Sequence, residues 1–306
     1  MDNKIINVIR MINAEYNSVV YSAYYRHGKE IYEIVSLIRK RKLIIVVKKI
    51  IELIRRKLVS KKYNDVAIGN DITDYKDESN YYSDYDITIY TCIVNGYDKP
   101  QEPIFPPNNY NYVLYTDDVR TVDSRRWKVR QIPDYLSKMS GNDINRYIKM
   151  HPSEFIDTRY ALYVDGNVGT VTHIDDMIPF INPKIGIAMF KHPFRKCAYR
   201  EAKACLKLKK GNRAGICSQV ESYRKNGFPE NYGLIEATIF LVDNGNDCSK
   251  ELLDEWWNEY YKFKSGRDQI ALPYLLWKKN MRIEDIATLG DDRRGDPRFR
   301  INLYHR

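Results

Sequence analysis

Side chains able to bind metal or phosphate fall at the ends of apolar runs in this chain. The run Tyr160-Ala161-Leu162-Tyr163-Val164 leads straight into Asp165-Gly166-Asn167. Five residues without polar alternation predict a strand buried on both faces. The C-terminal end of such a strand is where open α/β sheets bind ligands. Gly166 permits close backbone approach, and Asp165 and Asn167 offer two hard oxygen donors, suited to a divalent cation that holds a diphosphate. An Asp-Gly turn joining strand to loop accounts for the same residues without a ligand.

Four further clusters sit at element ends. Tyr97 and Asp98 follow a β-branched run over 87–94, where nucleotide-binding α/β domains hold base and ribose; the intervening Asn95-Gly96 also reads as a hairpin turn. Arg146 and Lys149 lie three apart on one face of a helix expected over 142–150, a spacing that grips a diphosphate or simply makes a solvated face. His192, Arg195, Tyr199 and Glu201 crowd one loop-to-helix stretch and could line a sugar-binding cleft, although Tyr199 and Glu201 can equally begin the helix. Arg267, Asp268 and Gln269 make a phosphate and hydroxyl site at a helix N-terminus, or else Ser265 and Asp268 form a capping box there.

The elements that must position these groups alternate in kind. Strands are expected at 87–94, 112–115, 127–132, 160–164, 185–190 and 234–242. Helices are expected at 142–150, 175–181, 199–209, 214–225, 250–261 and 268–279. That alternation predicts an α/β fold with a mostly parallel sheet, and no internal repeat is visible.

Charge divides the chain. Residues 1–62 hold 15 Lys and Arg against five acids, which is the whole of the chain's formal excess of +10. Two apolar stripes run through this segment, Ile31-Ile34-Val35-Ile38 and Leu43-Val47-Ile50-Ile54-Leu58, separated by Arg39-Lys40-Arg41-Lys42. Basic amphipathic helices of this kind lie on anionic membrane surfaces, or pack their stripes on a neighbouring domain. Nucleic-acid binding is the weakest reading, because the remaining chain is neutral and carries no recognition motif. Residues 64–85 are polar and acidic, a linker between a basic segment at 1–63 and an α/β domain at 86–306. Five widely spaced cysteines without a C-x-x-C pair exclude a disulfide framework or zinc site and point to a reducing compartment. No secretory signal opens the chain, and no apolar run approaches the roughly 20 residues of a membrane span. A cytoplasmic protein is expected, peripheral to the inner membrane face if the basic helices bind it.

Taken together the segments resemble a family. Asn95-Gly96-Tyr97-Asp98 with Glu102-Pro103, Tyr115-Thr116-Asp117, Arg146-x-x-Lys149-x-His151, Val164-Asp165-Gly166-Asn167, His192-Pro193-x-Arg195-x-Cys197-x-Tyr199-x-Glu201-Ala202, Gln219-x-x-x-Tyr223, Gly233-Leu234-x-Glu236 and Arg267-Asp268-Gln269 occur in one order. That order, over residues 86–280, is similar to the TOD/MUCI-type glycosyltransferase-like family catalogued as domain of unknown function 616. The resemblance implies a GT-A-like fold, a nucleoside diphosphate sugar donor, and a glycan or lipid-linked glycan acceptor in surface polysaccharide synthesis. It implies Tyr97 and Asp98 on the nucleoside, Arg146, Lys149, Arg267 and Gln269 toward the donor phosphates and hydroxyls, and Asp165 and Asn167 on Mg²⁺ or Mn²⁺. His192, Arg195, Tyr199 and Glu201 would shape the acceptor side, with Glu236 or Asp268 as the catalytic carboxylate. Asn167 stands where many GT-A enzymes carry a second carboxylate, which lowers the charge offered to the ion. A catalytically inactive carbohydrate-binding or scaffold protein on the same fold is the alternative.

Overall fold

The computed structural model describes residues 5–18 and 81–302, so the two basic stripes and nearly all of the acidic stretch lie outside the described residues. Met1–Asn13 with Ser79–Arg306 form one compact unit, and Ala14–Glu78 another.

The large unit is a mixed α/β domain around a six-stranded sheet. Its strands are β1 (Ile87–Ile93), β2 (Asn111–Thr116), β3 (Lys128–Gln131), β4 (Tyr160–Val164), β6 (Ile187–Lys191) and β7 (Ile235–Asp243), in the order β3-β2-β1-β4-β7-β6. β1 pairs parallel with β2 and β4, and β2 parallel with β3, while β7 runs antiparallel to both β4 and β6. Reversing only β7 leaves the other five strands pointing one way. All seven residues of β1 are buried, as a strand covered on both faces requires. From β1 the chain builds outward to β2 and β3, then returns on the other side at β4, which makes the β1–β4 boundary a topological switch point.

Helices cover the faces. α1 (Gly141–Met150) starts at Ser140, whose hydroxyl accepts from the Asp143 N–H at 3.2 Å, and buries Ile144 and Ile148 against the sheet. α4 (Asp247–Phe263) is capped by Asn246 and drives Trp256 and Trp257 into the same core. α2 (Ala198–Lys207), α3 (Arg213–Lys225) and α5 (Asp268–Lys278) enclose a second core, where Tyr223 stacks on Tyr274 at 3.8 Å between ring centres. The outer edge of β6 is covered by residues 286–290, which bond to Met189 and Lys191 and close it to further strands. A small second sheet joins β5 (Val168–Thr170) to β8 (Phe299–Ile301). The N-terminal helix ties down that C-terminal strand: Asn13 donates to the carbonyls of Pro297 and Phe299 at 2.8 and 3.0 Å. Arg10 pairs with Asp176 at 2.8 Å, so this basic residue serves packing.

Two local expectations are corrected. Asn95 and Gly96 do adopt the two positive-φ positions of a hairpin turn (58° and 56°), closed by Tyr97 N–H to Val94 O at 3.2 Å. The chain does not return as a hairpin, because both neighbours of β1 are parallel to it. The capping box at Ser265 and Asp268 also does not form. Arg267 is the N-cap of α5 and makes no side-chain cap bond, Ser265 Oγ accepts from the Arg267 N–H, and Asp268 accepts from the Gln269 N–H.

Candidate active site

The C-terminal ends of β1, β4 and β6 and the start of antiparallel β7 all meet at one edge of the sheet, and most of the sequence-predicted groups gather there. Asp165-Gly166-Asn167 leaves β4, with the Asp165 N–H held by Thr238 O of β7 at 2.9 Å. A Cβ on Gly166 would come within 2.8 Å of the Ile93 side chain and 3.0 Å of Asp98 Cβ. Only glycine lets the β1 loop press this close to the β4 turn, and that contact brings Asp98 beside Asp165. Tyr97 stands exposed next to it.

Among the described residues no hydrogen bond or ion pair engages the half-buried Asp165 carboxylate. Asn167 donates through Nδ2 to Asn302 O at 2.8 Å, which fixes its amide and leaves Oδ1 as its acceptor. No group of three or more His, Cys, Asp or Glu side chains clusters here among the described residues. The donors present fit an octahedral cation that takes one or two protein oxygens and completes its shell with phosphate oxygens and water.

Arg146 links this turn to α5. Its Nη1 donates to Asn145 Oδ1 at 2.8 Å, and its Nε lies 3.5 Å from Asp268 Oδ2, within ion-pair range yet too long for a hydrogen bond. Burial opposes its charge, but Asp268, Tyr163 and Asp165 outweigh burial and raise its pKa. Lys149 meets the same Asp268 oxygen from within the core. It is 2% exposed, bonds Asp268 Oδ2 at 2.8 Å, and sits 4.9 Å from the Tyr163 ring centre. Asp268, also 2% exposed, is therefore the anchor of a buried ion pair. Burial by itself would raise its pKa; Lys149, Arg146 and Arg267 hold it well below the carboxylate range.

The second half of the edge is built on β6 and β7. Opposite β6, residues 237–239 of β7 have no partner, a bulge that opens where β7 begins. Just before it, Glu236 is 6% exposed; its Oε1 is ion-paired with Arg293 Nη2 at 2.8 Å, and its Oε2 is buried without a hydrogen-bond partner among the described residues. His192 Nδ1 accepts the N–H groups of Phe194 and Arg195, both at 3.1 Å, while its Nε2 lies 3.1 Å from Arg195 Nη2, a group that can only donate. Burial first, then the Arg195 charge, pull its pKa down to about 4. Glu201 is bound by Arg195 Nε and lies 3.5 Å from Arg267 Nη2; burial would raise its pKa, but these cations lower it. Arg267 also donates to Gln269, whose amide reaches Ile235 O at 3.3 Å.

Several motif residues lie away from the edge. Tyr199 packs in the helical core and gives its hydroxyl to Phe228 O at 2.7 Å, so the structure does not bring it to the site. Gln219 bonds Tyr223 in that core, Asp117 receives the Asn95 N–H beside the turn after β1, and Glu102 receives the Ser124 hydroxyl. Conversely, Arg293 and Arg294 reach Glu236 from a charged tail in which nothing in the spacing sets them apart from solvated residues.

The carboxylate, the cation and the close-packed glycine turn thus lie at the switch point, the place where open α/β sheets bind ligands. Residues 54–289 match the TOD1/MUCI70 glycosyltransferase-like domain, and the chain belongs to that family. A search of curated proteins found no match. Among solved structures the chain is similar to mouse xyloside xylosyltransferase 1 in its apo form, at 10% identity over 66% of this chain and 83% of that one, with a TM-score of 0.36. It is also similar to the apo bifunctional glycosyltransferase WbbM, at 8% identity over 63% of this chain and 38% of that one, TM-score 0.37.

Proposed function

We propose that the protein is a glycosyltransferase that moves a sugar from a nucleoside diphosphate sugar to a glycan or lipid-linked glycan acceptor in surface polysaccharide synthesis. The observation that carries this reading is the Asp165 carboxylate, held without a side-chain partner among the described residues at the switch point, with Arg146 across from it. Asp98 and Tyr97 would take the nucleoside, and Arg146 the diphosphate. Asp165 and Asn167 would hold Mg²⁺ or Mn²⁺, which neutralises charge on the diphosphate as it leaves.

Of the two candidate carboxylates, Glu236 suits the reacting centre better. Asp268 is already occupied by Lys149, Arg146 and the Gln269 N–H, whereas Glu236 keeps an unpartnered Oε2. As the acceptor hydroxyl replaces the diphosphate at the anomeric carbon, the new C–O bond forms, the old one breaks toward the diphosphate, and the hydroxyl proton passes to Glu236 Oε2. His192, its Nε2 set between Arg195 and Glu201, would orient acceptor hydroxyls. The basic excess of residues 1–62 favours an acceptor presented at the cytoplasmic membrane surface.

Calorimetric titration with a panel of nucleoside diphosphates, with and without Mn²⁺, tests the reading. At least one should bind the wild type, and Asp165→Ala should weaken it tenfold or more while the melting curve is kept. Unchanged affinity in the variant, or no binding by the wild type, would refute it.

A further inference from the structure

The tail beyond the family match contributes a second charged group to the same edge. Guanidiniums of Arg195, Arg267, Arg293 and Arg294 pair there with two buried carboxylates, Glu201 and Glu236, while Asp268, which Arg267 also faces, is already balanced by Lys149. Both glutamates are more than nine-tenths buried. Asp292, bonded to Arg294 at 3.0 Å from the solvent side, still leaves one positive charge in excess. His192 adds none, because its Nδ1 lone pair is taken by two backbone N–H groups.

Hydrogen bonding is unbalanced in the same sense. Arg293 Nε and Nη1 and Arg267 Nε are buried donors without partners among the described residues, beside one buried acceptor in the same state, Glu236 Oε2. Unmet buried donors and an uncompensated charge are both costly, and an anion removes both costs. The cluster meets solvent at Phe194, 58% exposed, against which Arg294 stacks at 4.9 Å. It lies over β7 and β6, and β6 is two strands, roughly 10 Å, from the Asp165 turn on β4. That is the far side from the nucleoside and diphosphate.

We propose that Arg293 and Arg294 form an anion subsite for the acceptor, which is a sugar carrying a carboxylate or phosphate together with the hydroxyl that meets Glu236. The inference rests on the glycosyltransferase reading and deepens it. Arginine is suited to such a group because its fork makes paired, charge-assisted bonds to planar or tetrahedral oxyanions.

The test uses the full-length protein without donor, and a panel of uronic-acid and phosphorylated oligosaccharides with their carboxyl-reduced or dephosphorylated counterparts. At least one acidic member should bind, and binding should fall with added salt. Neutralising its acidic group should weaken it about tenfold or more. Arg293→Ala/Arg294→Ala should lose it to the same extent, with nucleoside diphosphate affinity unchanged. Arg294→Ala alone, on the more exposed side of the cluster, serves if the double variant fails to fold, and should lose several-fold. Whether the carboxylate or the phosphate set binds separates the two chemistries. Equal binding of acidic and neutral members, unchanged binding in the variants, or no binding by the whole panel would overturn the proposal. A wild type that binds no nucleoside diphosphate would instead fault the donor reading.

Discussion

Asp268→Asn separates an anchoring carboxylate from a reacting one, and its expected cost follows from the surroundings of Asp268. The side chains of Lys149 and Asp268 are each 3% exposed and their charged atoms are 2.8 Å apart. Removing one member of such a pair leaves the other charge buried without compensation, a loss of about 3–5 kcal/mol. At roughly 2–4 °C per kcal/mol for a domain near this size, the melting temperature should fall by roughly 6–20 °C. Lys149→Met should cost a similar amount. The double variant Lys149→Met/Asp268→Asn should recover much of the loss, because both charges are then gone. Recovery will be incomplete, since Arg146 still faces residue 268 at 3.5 Å. Urea unfolding of the four proteins gives the coupling energy directly, expected above about 1.5 kcal/mol. The pH dependence has a fixed sign. The folded-state pKa of Asp268 is depressed, so its contribution is complete above the unfolded value near 3.9 and is lost as pH falls below it. Wild type should therefore shed more stability than Asp268→Asn below about pH 4. If Asp268→Asn melts with the wild type, the buried pair does not exist and Asp268 returns as a catalytic candidate.

Glu236→Gln, by contrast, should cut turnover about a hundredfold or more and leave nucleoside diphosphate affinity within about twofold, measured by coupled assay and calorimetry. Gly166→Ala must displace Ile93 or Asp98, so we expect a loss of about 1–3 kcal/mol in urea unfolding together with weakened nucleotide binding. The His192 pKa is lowered to about 4, so the unfolded chain binds more protons between about pH 4 and 6.5 and stability should rise with pH across that window. His192→Gln should flatten that slope, and NMR of the ring should show it neutral at pH 6. Vesicles of anionic lipid should pellet the intact protein, less so in salt, and replacing Arg39, Lys40, Arg41 and Lys42 by Gln should reduce pelleting. That substitution is preferable to deleting residues 1–62, which would remove the Arg10 and Asn13 contacts that fasten the C-terminal strand.

The part of the site legible in the sequence is the part made by contiguous residues. β4 and its Asp165-Gly166-Asn167 turn could be read because a five-residue apolar run, too short for a helix and closed by Asp-Gly, reads as a covered strand whose end is marked by the first charge. The direction of β7 could not, since 234–242 is as apolar antiparallel as parallel, yet that reversal is what carries Glu236 to the edge shared with Asp165. Long-range neutralisation was equally hidden. Arg146 and Lys149 share a helical face as expected, but a carboxylate 119 residues after Lys149 turns that lysine into a core group. Tyr199 sits among charged residues in the chain, and only the fold shows its hydroxyl bonding a core carbonyl.

The two ion-paired groups give the edge a division of labour. Asp268 ties α5 to α1 through Lys149, a contact sealed from water, and so holds Arg146 against the β4 turn. Among the described residues the Glu236 side chain is ion-paired only with the tail, through Arg293 and Arg294, whose segment is fastened in turn by β8 on β5 and by Asn302 on Asn167. A buried pair between two helices fixes one geometry, whereas a pair made by a short segment outside the main sheet opens with that segment. On the proposed reading the donor half is thus the rigid one, and the acceptor half draws on the part of the chain beyond residue 289, where the family match ends. Tightening the tail onto β5 should then alter acceptor binding before it alters nucleoside diphosphate binding, because Arg293 and Arg294 touch Glu236 and not Asp165.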